Sequence, residues 1–272
     1  MTAIETRSLP RGSRALAAAG VMLLAASCAT PPPASEPEDL KAFYETNDPL
    51  EPMNRAIFGI NRGLDFWIMR PLAVTYRDLV PKFLRDMVRN FLENLRTPQV
   101  LANDILQGDM AGAGDTSLRF LANSTIGVGG LFDIMPQRKR WEDFGQTLGV
   151  WGAGEGFYLM LPVLGPSSLR DAVGLAVDSF SDPITWWARN TDREWITYTR
   201  TGVYGLDTRT QNLETLDEIQ RTAIDFYATL RSAYRQRRID EIKDGSKAGS
   251  RSLAPFKSPA PLAALQRETL AD

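Results

Sequence analysis

Apolar residues recur every three or four positions over much of the chain, and this spacing predicts amphipathic helices. In the first helix one face carries Ile57, Ile60, Leu64, Trp67 and Ile68. We expect this helix to begin near Asn54, after Asp48 as a cap residue, and to end at Pro71. A different face of the same helix is polar and carries Asn54, Asn61 and Asp65.

A second helix follows at once and has the clearest apolar stripe, formed by Leu84, Met87, Val88, Phe91, Leu92 and Leu95. Pro81 should open it, and Thr97 followed by Pro98 should stop it. Its other face includes Arg85, Arg89 and Asn94. A short helix from Pro98 to Gln107 should come next, with Gly108 as its stop and Asp109 as the cap of a further helix.

The amino-acid composition changes in the middle of the chain, where eight glycines lie between residues 127 and 156. No Gly-Lys-Ser/Thr follows them, so they indicate turns and close backbone contacts rather than a phosphate loop. Helical spacing resumes over 168–179, and Asp182-Pro183 should cap an aromatic segment. Residues 210–238 should form the longest helix. Strand signals are few, so the pattern predicts a mainly α fold.

The N-terminus has the layout of an export signal, with three arginines, a short apolar run and small residues before Cys28, the chain's only cysteine. Leu24 to Cys28 resembles a bacterial lipobox, although Ala25 stands where leucine is usual. We therefore expect residues 1–27 to be a lipoprotein signal peptide and Cys28 to carry diacylglycerol and an N-acyl chain. The alternative is an ordinary signal cut near Ala29.

Composition narrows the possible functions. The chain has no histidine and a formal net charge of -2. The missing histidine removes the usual general base and histidine metal sites, and the mild acidity argues against nucleic-acid binding. No run approaches the roughly 18 apolar residues of a spanning helix, so membrane contact beyond the anchor should come from helices lying in the interface. The six tryptophans would suit an interface or a core.

A series of motifs follows in fixed order from about residue 48 to 238. They are Asp48–Arg55, Arg70–Ala73, Tyr76–Asp78, Val80–Pro81, Asn90–Leu95, Leu106–Asp109, Arg119–Gly127, Asp143–Gly149, Leu161–Ser167 and Arg170–Asp171. In these motifs and in their order the chain resembles the MlaA (VacJ) family. The chain then divides into the signal peptide, an acylated N-terminus and flexible tether (28–46), a family-like helical domain (47–240) and a disordered tail (241–272).

The resemblance implies an outer-membrane lipoprotein on the periplasmic face. Its single domain would be a ring of amphipathic helices with Gly-rich loops, embedded in the inner leaflet. Phospholipids that have strayed into the outer leaflet would leave through a central channel. The implied partners are membrane phospholipids, a trimeric outer-membrane porin and a soluble periplasmic carrier of the Mla type. No cofactor or metal is implied beyond the acyl chains.

Residue roles follow as hypotheses. A polar passage should lower the cost of moving a charged headgroup past hydrocarbon, and the polar faces of the first two helices could line it. The candidates for channel lining are Asn54, Asn61, Asp65, Arg85, Arg89 and Asn94. A solvated face or contacts between helices would explain each of them equally well. The turn with Gly127, Gly129 and Gly130 is either a hinge or gate, or a tight turn.

Two other functions compete with transport. One is a lipoprotein phospholipase, but the chain has no Gly-x-Ser-x-Gly elbow and no Ser-x-x-Lys, which leaves only a carboxylate-based site. The other is a structural lipoprotein associated with a porin, whose helices would not touch headgroups. The sequence favours a transport protein that is not an enzyme.

Overall fold

A computed structural model describes residues 46–135 and 141–246. The predicted signal peptide, Cys28, most of the tether and the end of the tail lie outside the described residues. The described part is mainly α-helical, as predicted, with one small hairpin. The last helix continues to Ser246, beyond the predicted domain end at residue 240.

The helices are α1 Glu51–Leu64, α2 Arg70–Leu79, α3 Lys82–Leu106, α4 Met110–Thr125, α5 Phe144–Val150, α6 Leu169–Ser181, α7 Pro183–Asn190, α8 Glu194–Gln211, α9 Leu213–Thr222 and α10 Phe226–Ser246. The strands are β1 Tyr158–Leu161 and β2 Gly165–Ser168, which pair antiparallel. Helix α3 packs along α4, α5 packs against α6 and α10, and α8 packs against α2.

The first helix does not end at Pro71, so that prediction was wrong. A π-helical segment, Asp65–Met69, joins α1 to α2, and the backbone N–H of Arg70 donates to the carbonyl of Asp65 five residues earlier. Proline lacks an N–H and normally interrupts the helical bond pattern. The widened turn just before Pro71 shifts that pattern, and the chain stays helical through the proline.

Pro98 does not stop the second helix either, because it lies inside α3, which runs for 25 residues to Leu106. The predicted short helix from 98 to 107 is therefore the second half of α3. Leu92 and Val100, one on each side of the proline, are both buried. Their packing offsets the missing hydrogen bond and holds the two halves in one helix.

The region 210–238 is not one helix, and the longest helix among the described residues is α3. The chain bends at Asn212 and again at Ala223, whose backbone is extended. Asp225 restarts the helix, because its carboxylate accepts from the N–H of Ala228, three residues on. The cap at Asp225 therefore starts a separate helix, although the apolar spacing continues through this region.

Three predicted helix starts are confirmed. The side chains of Asp109, Ser168 and Asp182 each accept hydrogen bonds from backbone N–H groups in the first turn of α4, α6 and α7. Gly108 also ends α3 as predicted, with a positive φ of 76°. Asp48, in contrast, does not cap α1, whose N-terminus has no side-chain cap.

The hairpin lies against α1, and two asparagines hold its outer edge. Asn54 accepts from the N–H of Met160 (2.9 Å) and donates to the carbonyl of Tyr158 (3.1 Å). Two turns further on, Asn61 binds the carbonyl of Leu161 and the N–H of Val163 in the same way. These amides replace a neighbouring strand, so β1 is satisfied on both edges.

A small aromatic core forms where α1, the hairpin and α10 meet. It consists of Phe58, Tyr158, Met160 and Tyr227, with ring pairs in edge-to-face contact. The rest of the described interior is largely polar.

The tight turn after α4 generates a stability prediction. Gly130 has a φ of 93°, and a Cβ there would overlap the side chain of Asn94. We expect Gly130→Ala to lower the free energy of unfolding by at least about 1 kcal/mol. Gly59, exposed within α1 with open space at its Cβ position, is the matched control, and Gly59→Ala should stabilise by about 0.5–1 kcal/mol. Denaturant unfolding of both variants checks the pair, and equal effects would contradict it.

Candidate lipid-facing surface and buried polar network

Large apolar side chains cover the outside of the first helical stretch. In α1, the π-helical segment and α2 the exposed ones are Ile60, Leu64, Phe66, Trp67, Ile68, Leu72 and Leu79. Trp67 is 77% exposed, more than is usual for this residue type in a soluble protein. The sequence predicted an apolar face here, and the structure turns that face outward.

Exposed apolar residues continue around other elements. They include Leu118, Leu121 and Ile126 on α4, Trp151 after α5, Val173 and Phe180 on α6, Trp186 and Trp187 on α7, and Trp195 on α8. All the tryptophans except Trp141 are therefore exposed, which excludes core packing for these five. Their position at a membrane interface stays a prediction. Exposed apolar surface of this extent marks contact with a membrane or another protein.

Many polar side chains are buried in the interior of the described part of the chain. Among the described residues, buried polar side chains outnumber buried apolar ones. The fully or nearly fully buried polar residues include Asp48, Asn54, Asn103, Asp104, Asp109, Gln146, Thr147, Ser168 and Asp207. Apolar side chains outside and polar side chains inside reverse the usual arrangement of a water-soluble domain.

Asp48 is at the centre of one buried cluster. Its carboxylate accepts from Asn54 (2.7 Å), Arg231 (2.7 Å) and the hydroxyl of Tyr227. The cluster connects the start of α1 to α10. Burial, followed by the hydrogen bond and charge of Asp48, raises the pKa of Tyr227 above its ordinary value, so Tyr227 stays a neutral donor.

Arg238 of α10 forms a second cluster with Asp143 and Asp171. Its guanidinium donates to both carboxylates, at 2.7–2.9 Å, and Tyr234 also donates to Asp171. Burial alone would raise the pKa of Asp171, but the bond and charge of Arg238 outweigh it and lower that pKa to about 2. The pKa of Asp143 is lowered for the same reasons. One arginine thus ties α10 to α5 and α6.

Further arginine–carboxylate pairs join distant elements. Arg209 of α8 donates to Asp65 at 2.6 and 2.9 Å, and Arg89 of α3 donates to Asp207 of α8 at 3.0 Å. In the sequence each pair is separated by more than a hundred residues. Residue spacing contains no signal for these pairs. The partners of Asp65 and Arg89, and the central positions of Asp48 and Arg238, were therefore not predicted.

The predicted channel residues on α1 do not face one common space. Asn54 is fully buried between Asp48 and the hairpin, and its amide completes the edge of β1. Asn61 is half-buried and contacts the hairpin turn, and Asp65, in the π-helical segment, pairs with Arg209. The channel role of all three stays a prediction.

The predicted residues of α3 also point to different neighbours. Arg85 donates to the carbonyl of Val80, and Arg89 binds Asp86 and Asp207. Asn94 is buried and donates to Ser124 and to the carbonyl of Gly129. Asn94 thus anchors the turn after α4, and the channel role of these three residues stays a prediction.

That turn contains Gly127, Gly129 and Gly130. The N–H of Gly130 donates to the carbonyl of Asn123, and the N–H of Phe132 donates to the carbonyl of Gly127. Its geometry is that of a tight turn. Movement as a hinge or gate stays a prediction.

Two negative findings apply to the described residues. No helix among them is long and apolar enough to cross a membrane. Within the same residues, no group of three or more histidine, cysteine, aspartate or glutamate side chains is placed to hold a metal ion.

Fold and surface together define a helical protein with an apolar outside and a polar, arginine-paired inside. Comparison with known proteins identifies the family within this class, because the family model described as MlaA lipoprotein matches residues 46–241. The chain therefore belongs to the MlaA lipoprotein family.

Its relatives carry informative names. The chain is similar to the intermembrane phospholipid transport system lipoprotein MlaA of Escherichia coli K12, at 37% identity over 74% of this chain and 80% of that protein. The protein of the same name from Haemophilus influenzae is 30% identical over 80% of this chain and 88% of its own length. A solved structure described as the "structural basis for maintenance of bacterial outer membrane lipid asymmetry" matches with a TM-score of 0.64 and 36% identity, over 72% of this chain and 98% of that one.

The Arg238 cluster predicts a pH dependence. The folded-state pKa of Asp171 lies below its unfolded value, so its stabilisation is present above about pH 4 and is lost as the pH falls towards 2. The shift corresponds to roughly 2 kcal/mol of unfolding free energy at neutral pH. Asp171→Asn should lower the melting temperature at pH 7 and flatten its fall between pH 4 and 2.

Asp78 provides the control for this measurement. It is exposed and pairs only with its neighbour Arg77 among the described residues. Asp78→Asn should leave both the melting temperature and its acid dependence unchanged, because exposed ion pairs contribute little to the free energy of unfolding. Thermal unfolding followed by circular dichroism from pH 2 to 8 tests both variants. An unaltered acid profile in Asp171→Asn would refute the assignment.

Proposed function

We propose that this protein removes mislocalised phospholipids from the outer leaflet of the outer membrane and passes them to a periplasmic carrier. The observation that carries the proposal is the reversed distribution of side chains, apolar outside and polar inside. Family membership and the names of the relatives support it. Transport in this direction would maintain the lipid asymmetry of the membrane.

The apolar surface suits immersion in one leaflet. Amphipathic helices can lie in the interface with their apolar faces in the acyl region, and exposed tryptophans favour the boundary. We propose that the helices form a ring embedded in the inner leaflet, held from the periplasmic side. The acyl chains on Cys28 would anchor the ring and aid its orientation.

The polar interior suits the passage of headgroups. A charged headgroup crosses hydrocarbon at a cost of several kcal/mol, and donors and acceptors along a passage reduce that cost. Asn61, Asp65, Arg85 and Arg89 keep exposed surface and remain our candidates for the lining. Passage requires weak binding at each position, as conduction does in a channel, and no step of bond cleavage. We therefore propose a transporter and not an enzyme.

The proposed partners are phospholipids, a trimeric porin that contacts the ring, and a soluble carrier of the Mla type. Phospholipid transport and the Mla system follow from the names of the relatives. The porin and the particular carrier come from the family resemblance alone. No cofactor is proposed apart from the acyl chains.

Deletion of the gene tests the proposed transport. We expect phospholipid exposed on the cell surface to rise in the deletion strain and to return to the parental level with the wild-type gene, as measured by labelling with an outer-leaflet-specific reagent. An unchanged level after deletion would overturn the proposal.

Two substitutions in the same assay test the exposed apolar surface. Trp67→Glu places a charge on that surface and should fail to restore asymmetry, because a charge in hydrocarbon is costly. Lys82→Gln, at an equally exposed polar position, should restore it fully. Equal complementation by both variants would show that the Trp67 surface is not immersed.

Cell fractionation tests the anchor. Cys28→Ala cannot be acylated, so we expect the protein to leave the outer-membrane fraction, while the purified variant keeps the circular dichroism spectrum of a folded helical domain. Ser27→Ala, which keeps the thiol, is the control and should fractionate like the wild type. Outer-membrane recovery of Cys28→Ala at the wild-type level would contradict a lipid anchor.

A further inference from the structure

A polar cavity of about 140 Å³ lies where four parts of the fold meet. It is formed by α3, α8, α10, and the start of α5 with Trp141 and Asp143 just before it. The lining residues are Arg96, Trp141, Asp143, Gln146, Tyr204, Arg237, Arg238 and Glu241. The volume exceeds that of a single water molecule several times over.

Arg96 is held in this cavity by aromatic groups. Its guanidinium carbon lies 5.3 Å from the ring centroid of Trp141 and 5.1 Å from that of Tyr204. Its Nη1 donates to the hydroxyl of Tyr204 at 2.7 Å. Cation–π contacts of this kind fix the plane of a guanidinium without neutralising its charge.

The other charged groups of the cavity are already paired. Arg238 binds Asp143 and Glu241, and Arg237 binds the second oxygen of Glu241 at 2.6 Å. Among the residues that the structure describes, the ion pairs of this cavity are formed by Arg237 and Arg238, and Arg96 takes part in none of them. Within the described residues Nη1 of Arg96 has Tyr204 as its hydrogen-bond partner, and Nε and Nη2 have no such partner.

An arginine with two free donor nitrogens in a fixed plane matches the oxygens of a phosphate group. We infer that this cavity binds the phosphate diester of a phospholipid headgroup, with Arg96 as its principal ligand. The inference rests on the proposed transport function and adds a defined position to the lipid's path. One guanidinium that forms no ion pair among the described residues matches the single negative charge of a phosphate diester. The carboxylates of Asp143 and Glu241 in the same lining would weaken the hold on the phosphate and favour release.

Calorimetric titration of the full-length protein in detergent tests this site. The probes are dihexanoyl phosphatidylglycerol, glycerophosphoglycerol, inorganic phosphate and dihexanoylglycerol, which has tails but no phosphate. We expect Arg96→Gln to weaken binding of the first two at least tenfold and to leave dihexanoylglycerol unaffected. Arg77→Gln, which removes an exposed arginine paired with its neighbour, should bind all probes like the wild type.

Specific outcomes would overturn the inference. Unchanged affinity of Arg96→Gln for both phosphodiesters would remove Arg96 as a ligand. Inorganic phosphate binding as tightly as the lipid would identify a free-phosphate site instead. If Arg96→Gln does not fold, Arg96→Lys carries the test, because it keeps the charge but loses the planar fork. We expect a smaller loss of affinity for the lysine variant, and no loss would count against the site.

The complemented deletion strain separates this inference from the proposed function. If the wild-type gene does not restore lipid asymmetry, the proposed function fails. If the wild-type gene restores it and Arg96→Gln, present at the same level in the outer membrane, restores it equally well, only the headgroup site fails. Reduced restoration by Arg96→Gln with normal restoration by Arg77→Gln supports both.

Discussion

Pairing of buried arginines with carboxylates across distant elements is the interaction on which this fold depends. Arg238 joins α10 to α5 and α6, Arg209 joins α8 to the π-helical segment, and Arg231 joins α10 to Asp48. An ordinary domain gains most of its stability from apolar burial. Here much of the apolar surface points outward, so polar contacts must specify how the helices meet. In a low-dielectric environment such contacts strengthen, while an unpaired member would be costly.

The same contacts determine which faces point outward. Asn54 and Asn61 hold one face of α1 against the hairpin. Ile60, on the opposite side of α1, and Trp67, in the π-helical segment that follows, are then exposed. A helix in water would bury its apolar stripe and expose the asparagines. Such a reversal suits contact with a membrane or with another protein, and the proposed position in a leaflet provides that contact.

Local features of this fold could be predicted from sequence, and long-range ones could not. The caps at Ser168 and Asp182 act within three residues of themselves, so their residue type is sufficient. The helix ends predicted at Pro71 and Pro98 were wrong. A π-helical turn compensates for the missing N–H at Pro71, and packing compensates for it at Pro98. Asp48 was predicted as a cap, whereas its partners Tyr227 and Arg231 lie far along the chain. A single sequence contains no signal for those contacts, nor for Asn54 facing a hairpin.

The requirement for release explains how a polar interior can serve transport. Donors and acceptors that are already paired inside the protein, such as those of Asp171 and Arg238, present little unsatisfied affinity to a passing headgroup. A wall made of such pairs reduces the cost of moving the headgroup without trapping it. An arginine without a carboxylate partner in the described part of the chain, such as Arg96 in its cavity, would then be enough to select a phosphate. Several such cations in one place would deepen the binding and slow release. The balance between paired and unpaired arginines would therefore set both selectivity and rate.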